Sequence, residues 1–271
     1  MGRRNVAVIM SVYKSDVLEA LKGAVCSILN QTYSCDIFIY RDGPVDIEMQ
    51  SYIDKINYHD SVNIISGDTN LGLATGLNKL IDTVMLGSYE FVARMDSDDF
   101  SLATRIEKQV NYLKSNLEID VCGTSCKEFG ASYALEEKHL PQTHTELLSF
   151  SITRCPFIHP SVMFRATVFK DGNRYPTDTA FTEDMALWFE LLSKGYRFGN
   201  LNEVLINYCL NEDTVTRRMG MKKALSEVRI RIKYMFILEK VTFKNTVLIC
   251  SRIIFHLLPA SLAKLAYKKA R

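Results

Sequence analysis

The stretch Phe91-Val92-Ala93-Arg94-Met95-Asp96-Ser97-Asp98-Asp99 decides how this 271-residue chain is read. An apolar run of strand length stops at three carboxylates within four residues. Isolated buried carboxylates carry a heavy desolvation penalty, so the acids belong at the open end of a sheet. There they admit two readings. Asp and Ser after a strand make ordinary turns and helix caps. Asp96 and Asp98 also form an oxygen-donor pair for a hard divalent cation, which takes carboxylates together with a substrate's phosphates. The flanking sequence has to choose.

Upstream, residues 5–13, 37–40 and 62–65 are continuous apolar runs, as expected for strands buried on both faces. Helical spacing fills the intervals 16–30 and 45–57, and Asn70-Leu71-Gly72 opens a helix that runs to Met85. This alternation predicts βαβ units and a mostly parallel sheet. Right-handed crossovers bring the loops after successive strands to one edge, where ligands bind. Asp42, the Asn70–Gly72 turn and Asp96–Asp99 should therefore converge, which favours the metal-and-phosphate reading. Downstream, the pattern predicts a helix over 102–113 with Ser101 as N-cap, a strand over 119–129 and a helix over 143–153. A rigid loop carrying His159 and a short strand, Ser161–Arg165, follow. Thr182-Glu183-Asp184 is expected to cap a helix over Met185–Lys194 that Gly195 stops, and Val204–Tyr208 reads as the last strand.

Charge divides the chain. Residues 217–271 hold 14 Lys or Arg against two acids, a balance of +12, which leaves −10 on residues 1–216. The expected organisation is an α/β unit over 1–216 followed by a basic helical tail over 217–271. Thr246–Pro259 is apolar but broken by Arg252 and His256, too short and too charged for a spanning helix. It suits a helix lying in the membrane interface, with Lys264, Lys268, Lys269 and Arg271 on anionic headgroups. The competing reading is a helical lid packed on the rest of the chain. No motif or basic-aromatic surface points to nucleic acid. Seven scattered cysteines without CxxC spacing suggest reduced thiols and a cytosolic setting. Val6–Met10 reads as a strand rather than a signal segment, because Lys14 and Asp16 cut the run short.

Five quoted stretches, in order, carry a resemblance: VAVIMSVY followed by SILNQTY; YRDGP; NLGLATGLN; ARMDSDD followed by SLATRIEKQ; and TEDMALWFELLSKGYRF. Over roughly residues 5–217 the chain resembles the family-2 glycosyltransferases, inverting enzymes with a GT-A fold, and among them the bacterial enzymes of O-antigen, capsule or exopolysaccharide synthesis. The resemblance implies that Asp96 and Asp98 hold Mg²⁺ or Mn²⁺ on a nucleotide-sugar diphosphate, with Asp98 the more direct ligand. It implies Asp184 as catalytic base, Glu183 as its acceptor-binding partner, and Asp42 on the nucleobase. Asn70 and Arg94 fall in the donor region, and His159, Trp188 and Arg217 are candidates for acceptor or diphosphate contacts. Two departures stand out: Arg41-Asp42 where many relatives have paired aspartates, and Leu77 where many have arginine.

The residues themselves leave alternatives open. An acidic pair at a helix start is also an ordinary cap. His159 is equally a structural histidine and Arg217 equally the start of a basic surface, while Trp188, one turn into an amphipathic helix, reads first as a core residue. The resemblance implies transfer of a hexose, from a UDP-linked donor, to a hydroxyl of a polyprenyl-diphosphate-linked glycan at the inner face of the plasma membrane. Against it stand a nucleotidyltransferase that makes the nucleotide sugar, and a non-catalytic sugar-nucleotide-binding subunit. The first would ordinarily carry a Gly-rich phosphate loop after the first strand, which Ser11-Val12-Tyr13-Lys14-Ser15 lacks.

Overall fold

The structure is a computed structural model that describes residues 4–179, 181–214 and 219–258. Arg217 and the basic residues from Lys264 to Arg271 lie outside the described residues. Strands β1 (Val6–Val12), β2 (Asp36–Asp42), β3 (Val62–Gly67) and β4 (Phe91–Arg94) alternate with helices α1 (Leu18–Leu29), α2 (Ile47–Ile56) and α3 (Leu73–Met85). Next come β5 (Phe100–Ser101), α4 (Arg105–Ser115), β6 (Val121–Phe129), α5 (His144–Ser151), β7 (Met163–Arg165), α6 (Ala166–Lys170), α7 (Glu183–Ser193) and β8 (Phe198–Cys209). Two further helices, α8 (Met221–Ile237) and α9 (Phe243–Leu257), form a hairpin.

One eight-stranded sheet runs in the order β3-β2-β1-β4-β7-β6-β8-β5. Its first half is parallel, as the βαβ reading requires. The second half is not: β7 pairs antiparallel with both β4 and β6, β5 pairs antiparallel with β8, and only β6 and β8 are parallel there. The sheet is therefore mostly parallel, as expected, with short antiparallel pairings at β7 and β5. Antiparallel β7 is three residues long, too short to show an alternating pattern. The expected N-cap Ser101 is corrected: it lies in β5, and α4 starts at Arg105 after Thr104.

Successive strand residues point to opposite faces, which sorts the core into two layers. Val6, Val8, Met10 and Val12 pack with α1, α2 and α4 through Leu21, Met49, Ile53 and Val110. Ala7 and Ile9 face the other way, with Leu77, Leu80 and Ile81 of α3 and Leu187 and Leu191 of α7. Both faces of the strands are covered, so the apolar runs are continuous rather than alternating.

The hairpin packs Val228, Met235 and Ile249 against Ile152, Met185 and Phe189, and Phe189 stacks on Tyr234 with centroids 5.1 Å apart. At its centre is a buried ionic cluster. Arg231 reaches Glu227 Oε1 at 2.9 Å and donates to the carbonyls of Ser151 and Ile152 at 2.9 and 3.0 Å. Arg252 donates to the Thr153 carbonyl at 2.5 Å and lies 3.5 Å from Glu227, while His256 Nε2 lies 3.3 Å from its other oxygen. Two guanidinium groups thus close the carboxyl end of α5, where helix carbonyls lack partners and cations are favoured.

Burial works against charge on Glu227, but His256, Arg231 and Arg252 overrule it and hold the carboxyl well below its usual range. Its folded pKa is depressed, so its contribution is complete above the ordinary 4.5 and is lost as pH falls from there through the folded value. Replacing Glu227 by Ala strands Arg231, whose side chain is 3% exposed. The expected loss is about 3 kcal/mol of docking stability, read as faster amide hydrogen exchange over residues 221–257. Wild-type protein should show the same loosening between pH 4.5 and pH 3, and not between pH 8 and pH 6.

Candidate active site

The loops after β1, β2, β3 and β4 meet at one edge of the sheet. Both oxygens of Asp42 are engaged there, accepting the N–H groups of Leu71 at 2.7 Å and Gly72 at 2.9 Å. Asp42 is 3% exposed, so the structure gives it the task of holding the Asn70–Gly72 turn rather than an open face toward a base. The turn also needs Gly43, whose φ is +83° and whose added Cβ would sit 2.7 Å from the Asn70 nitrogen. Asn70 itself is exposed at the edge.

Arg94, the last residue of β4, is fully buried. Its guanidinium pairs with Asp96 and bonds the Met95 carbonyl, which positions Asp96 from beneath. Asp96 is half-buried and Asp98 exposed. Asp99 turns inward and accepts the Cys209 N–H at 2.7 Å, tying this loop to the end of β8. Burial first, then the charges of Asp96 and Asp98, push the Asp99 carboxyl well above its ordinary value. Sequence reasoning missed Asp16, which accepts from the Ser97 hydroxyl at 2.8 Å. The signal was available, because Asp16 also follows a strand.

Among the described residues no three His, Cys, Asp or Glu side chains cluster as a ready metal site. Two hard carboxylates at a strand end nevertheless suit Mg²⁺ or Mn²⁺, which take one or two carboxylates and fill their remaining positions with phosphate oxygens and water. Asp96 and Asp98 fit that donor set.

Across the sheet edge, α7 begins at Glu183 and Asp184. Asp184 Oδ1 accepts the Met185 N–H at 2.7 Å, and the Cys155 thiol lies 3.9 Å from Oδ2. Burial, then the neighbouring Asp184 charge, raises the Glu183 carboxyl. Burial and then Asp184 push the Cys155 thiol up to about 12, so it stays protonated. Thr182 does not cap the helix with its side chain; its hydroxyl lies 3.0 Å from that of Ser226 on α8. His159 bonds the Tyr175 hydroxyl at 3.1 Å. Trp188 is 1% exposed among Phe157, Phe164 and Phe198, which corrects its placement at an acceptor site: an indole so enclosed reaches no ligand. The exposed aromatic side chain here is Phe181, two residues before Glu183, with φ at 56°.

One cleft of about 750 Å³ gathers these groups. Asp96, His159, Phe181, Glu183 and Asp184 line it, and the hairpin closes another side with Lys223, Leu248, Arg252 and Phe255. No motif marks those hairpin residues in the sequence.

The family model for Glycosyl transferase family 2 matches residues 7–173, more than half of the chain. The chain belongs to glycosyl transferase family 2. Within the family it is 28% identical over 266 residues to the amylovoran biosynthesis glycosyltransferase AmsE of Erwinia amylovora, covering 98% of each chain. It is 28% identical over 267 residues to the UDP-Gal:alpha-D-GlcNAc-diphosphoundecaprenol beta-1,3-galactosyltransferase of Escherichia coli, covering 97% of this chain and 95% of that one. Among solved structures, S. aureus TarS 1-349 in complex with UDP-GlcNAc superposes with a TM-score of 0.64 at 15% identity, over 93% of this chain and 72% of that one. The mannosyltransferase PcManGT from Pyrobaculum calidifontis, in complex with GDP-Man and Mn2+, gives 0.61 at 14% identity, over 99% and 76%. These likenesses identify the fold as the mixed α/β GT-A type, and the family makes the chain a glycosyltransferase.

Asp42→Ala would leave two backbone donors at a buried position without acceptors. The expected loss is about 2 kcal/mol, read as a lower midpoint of urea unfolding at unchanged slope.

Proposed function

We propose that this glycosyltransferase moves a hexose from a UDP-linked donor to a hydroxyl of a polyprenyl-diphosphate-linked glycan, with inversion, in the synthesis of a bacterial surface polysaccharide. The observation that carries the reading is the shared cleft, in which Asp96 of the strand-end loop faces the same space as Glu183 and Asp184. The Escherichia coli relative, whose name includes both a UDP-Gal donor and a diphosphoundecaprenol acceptor, supports the choice of substrates.

The chemistry assigns the residues as follows. Asp96 and Asp98 would hold Mg²⁺ or Mn²⁺, which neutralises charge on a departing diphosphate when bound. Arg94 fixes the Asp96 carboxylate from below, so that its direction is set before substrate arrives. The acceptor oxygen forms its bond to the anomeric carbon as the bond from that carbon to the diphosphate oxygen breaks, through an oxocarbenium-like transition state. Asp184 takes the acceptor's hydroxyl proton, and the nucleoside diphosphate leaves with the electron pair. Glu183 binds the acceptor. A second assignment exchanges these two acids, because burial and the neighbouring charge raise the Glu183 carboxyl and so strengthen it as a base.

The proposed setting is the cytoplasmic side of the plasma membrane, with peripheral contact through the tail. None of the described helices is long and apolar enough to cross a membrane. The outer surface of α9 suits an interfacial role: Phe243, Ile254 and Leu257 are 88%, 65% and 62% exposed. The same helix also buries Ile249 and His256, so deleting residues 246–271 would open the core as well as remove an anchor. Phe243→Glu with Ile254→Glu separates the two effects: binding to vesicles containing anionic lipid should fall at least tenfold while the melting temperature holds. Equal sedimentation of variant and wild type would count against the anchor.

Asp184→Ala should lower kcat by about 10²–10⁴ while metal-dependent UDP binding stays intact. Asp98→Ala should remove both. A kcat loss that follows Glu183→Gln instead would transfer the base role to Glu183, and full activity in Asp98→Ala would contradict the clamp.

A further inference from the structure

We infer that the hairpin side of the cleft is a second anion subsite, built by Arg154, Arg252, Lys223 and Lys138 to hold the diphosphate of a lipid-linked acceptor. This deepens the proposed function and rests on that reading for the nature of the acceptor. The four side chains line the same cleft as Asp96, Glu183 and Asp184. Both signs of charge thus line one cavity, and an anion repelled by the three carboxylates is drawn to the cations.

Two of the four cations act on carboxylates, Lys138 lying 3.7 Å from Glu128 and Lys223 lowering the Glu183 carboxyl, so the excess of positive charge is that of the arginines. In the cluster below the wall, Arg231 and Arg252 share the single carboxylate of Glu227. Arg154 makes no ion pair among the described residues; its guanidinium lies 5.7 Å above the Phe150 ring and the residue is exposed. Burial lowers the Arg252 pKa, Glu227 resists, and the like charges of Arg231 and Arg154 lower it further. Two neighbouring guanidinium groups in excess over their carboxylate make a site for an anion with several oxygens, which planar forked donors grip in pairs.

Two features select a lipid diphosphate over a free anion or an acidic sugar. Leu248 and Phe255 of the same hairpin line the cleft beside Arg252, so the anion's neighbour is apolar surface. The second feature is the shared cleft: Arg154, Arg252 and Asp184 all line it. A diphosphate held by the arginines therefore leaves the first sugar of a lipid-linked glycan in the cavity that Asp184 lines. The reaction that supplies such a substrate is transfer of a sugar phosphate onto a lipid phosphate.

Decyl diphosphate, used below its micelle concentration, tests the subsite without any sugar. It is titrated into full-length protein saturated with UDP and Mn²⁺, so that the donor region is filled. Saturable binding is expected, with decyl glucoside and inorganic pyrophosphate each at least tenfold weaker. Arg154→Gln and Lys223→Gln should each weaken decyl diphosphate about tenfold while UDP affinity is unchanged. Arg154 is exposed and Lys223 half-exposed, so folding is not at stake, and Arg252→Gln is held back because it also closes α5. Wild-type affinity in both variants would overturn the subsite. Pyrophosphate binding as tight as decyl diphosphate would overturn the lipid half of the inference. Because no sugar takes part, absence of glycosyl transfer would sink the proposed function and leave this result standing. Conversely, equal KM for diphosphate-linked and neutral-aglycone acceptors in an active enzyme would sink the subsite alone.

Discussion

Crowding acids at the end of a buried strand is the constraint on which the site depends. Asp16, Asp96, Asp98 and Asp99 meet where β1 and β4 end, and such a group is stable only with cations supplied from inside. Two arginines provide them. Arg94 pairs with Asp96, while Arg105 donates to the Arg94 carbonyl at 2.6 Å and to Gln109 at 3.0 Å. Both guanidinium groups are fully buried. Burial pushes Arg105 down to about 10, with Asp99 opposing it, so it stays charged near neutrality. The arrangement leaves Asp98 outward-facing and Asp96 half-open, because the protein's own cations occupy the inner side of the cluster.

That constraint explains which parts of the fold are legible in the sequence. The parallel half follows from strands buried on both faces, since continuous apolar runs broken by helical spacing have few other solutions. The convergence of Asp42, Asn70 and Asp96 follows from topology alone. The antiparallel insertion of β7 does not, because three residues carry no period. Asp42 reads in sequence as facing ligand, whereas both of its oxygens serve the backbone of the next loop. A sequence gives the position of a carboxylate at an edge but not which donors claim it, and those donors here lie 29 and 30 residues away.

Trp188 illustrates the same limit from the apolar side. Its place near Glu183 and Asp184 in sequence makes it a candidate for stacking on sugar. One turn along α7, however, side chains point into the layer formed by Phe157, Phe164 and Phe198. Phe181, before the helix begins, is the aromatic that remains in solvent beside the acids. Only the rotation of the helix against the sheet distinguishes the two.

The division of charge between −10 and +12 is a property of the sequence, and its meaning changes with the fold. A basic segment following an acidic unit invites the reading of a surface that meets something external. In the described residues some of that charge turns inward instead. Arg231 is buried beneath α5, Arg252 bridges α9 to the Thr153 carbonyl, and Lys223 faces the cleft. The tail therefore completes the cavity that Asp96, Glu183 and Asp184 line, and does so through groups that also fix its own position. A hairpin held by apolar contacts alone would be free to slide along the layer of Ile152, Met185 and Phe189. The shared Glu227 removes that freedom, because a one-residue slip would leave buried guanidinium groups without their carboxylate. The same pairs that orient the hairpin thus set the width and charge of the cleft opposite Asp184.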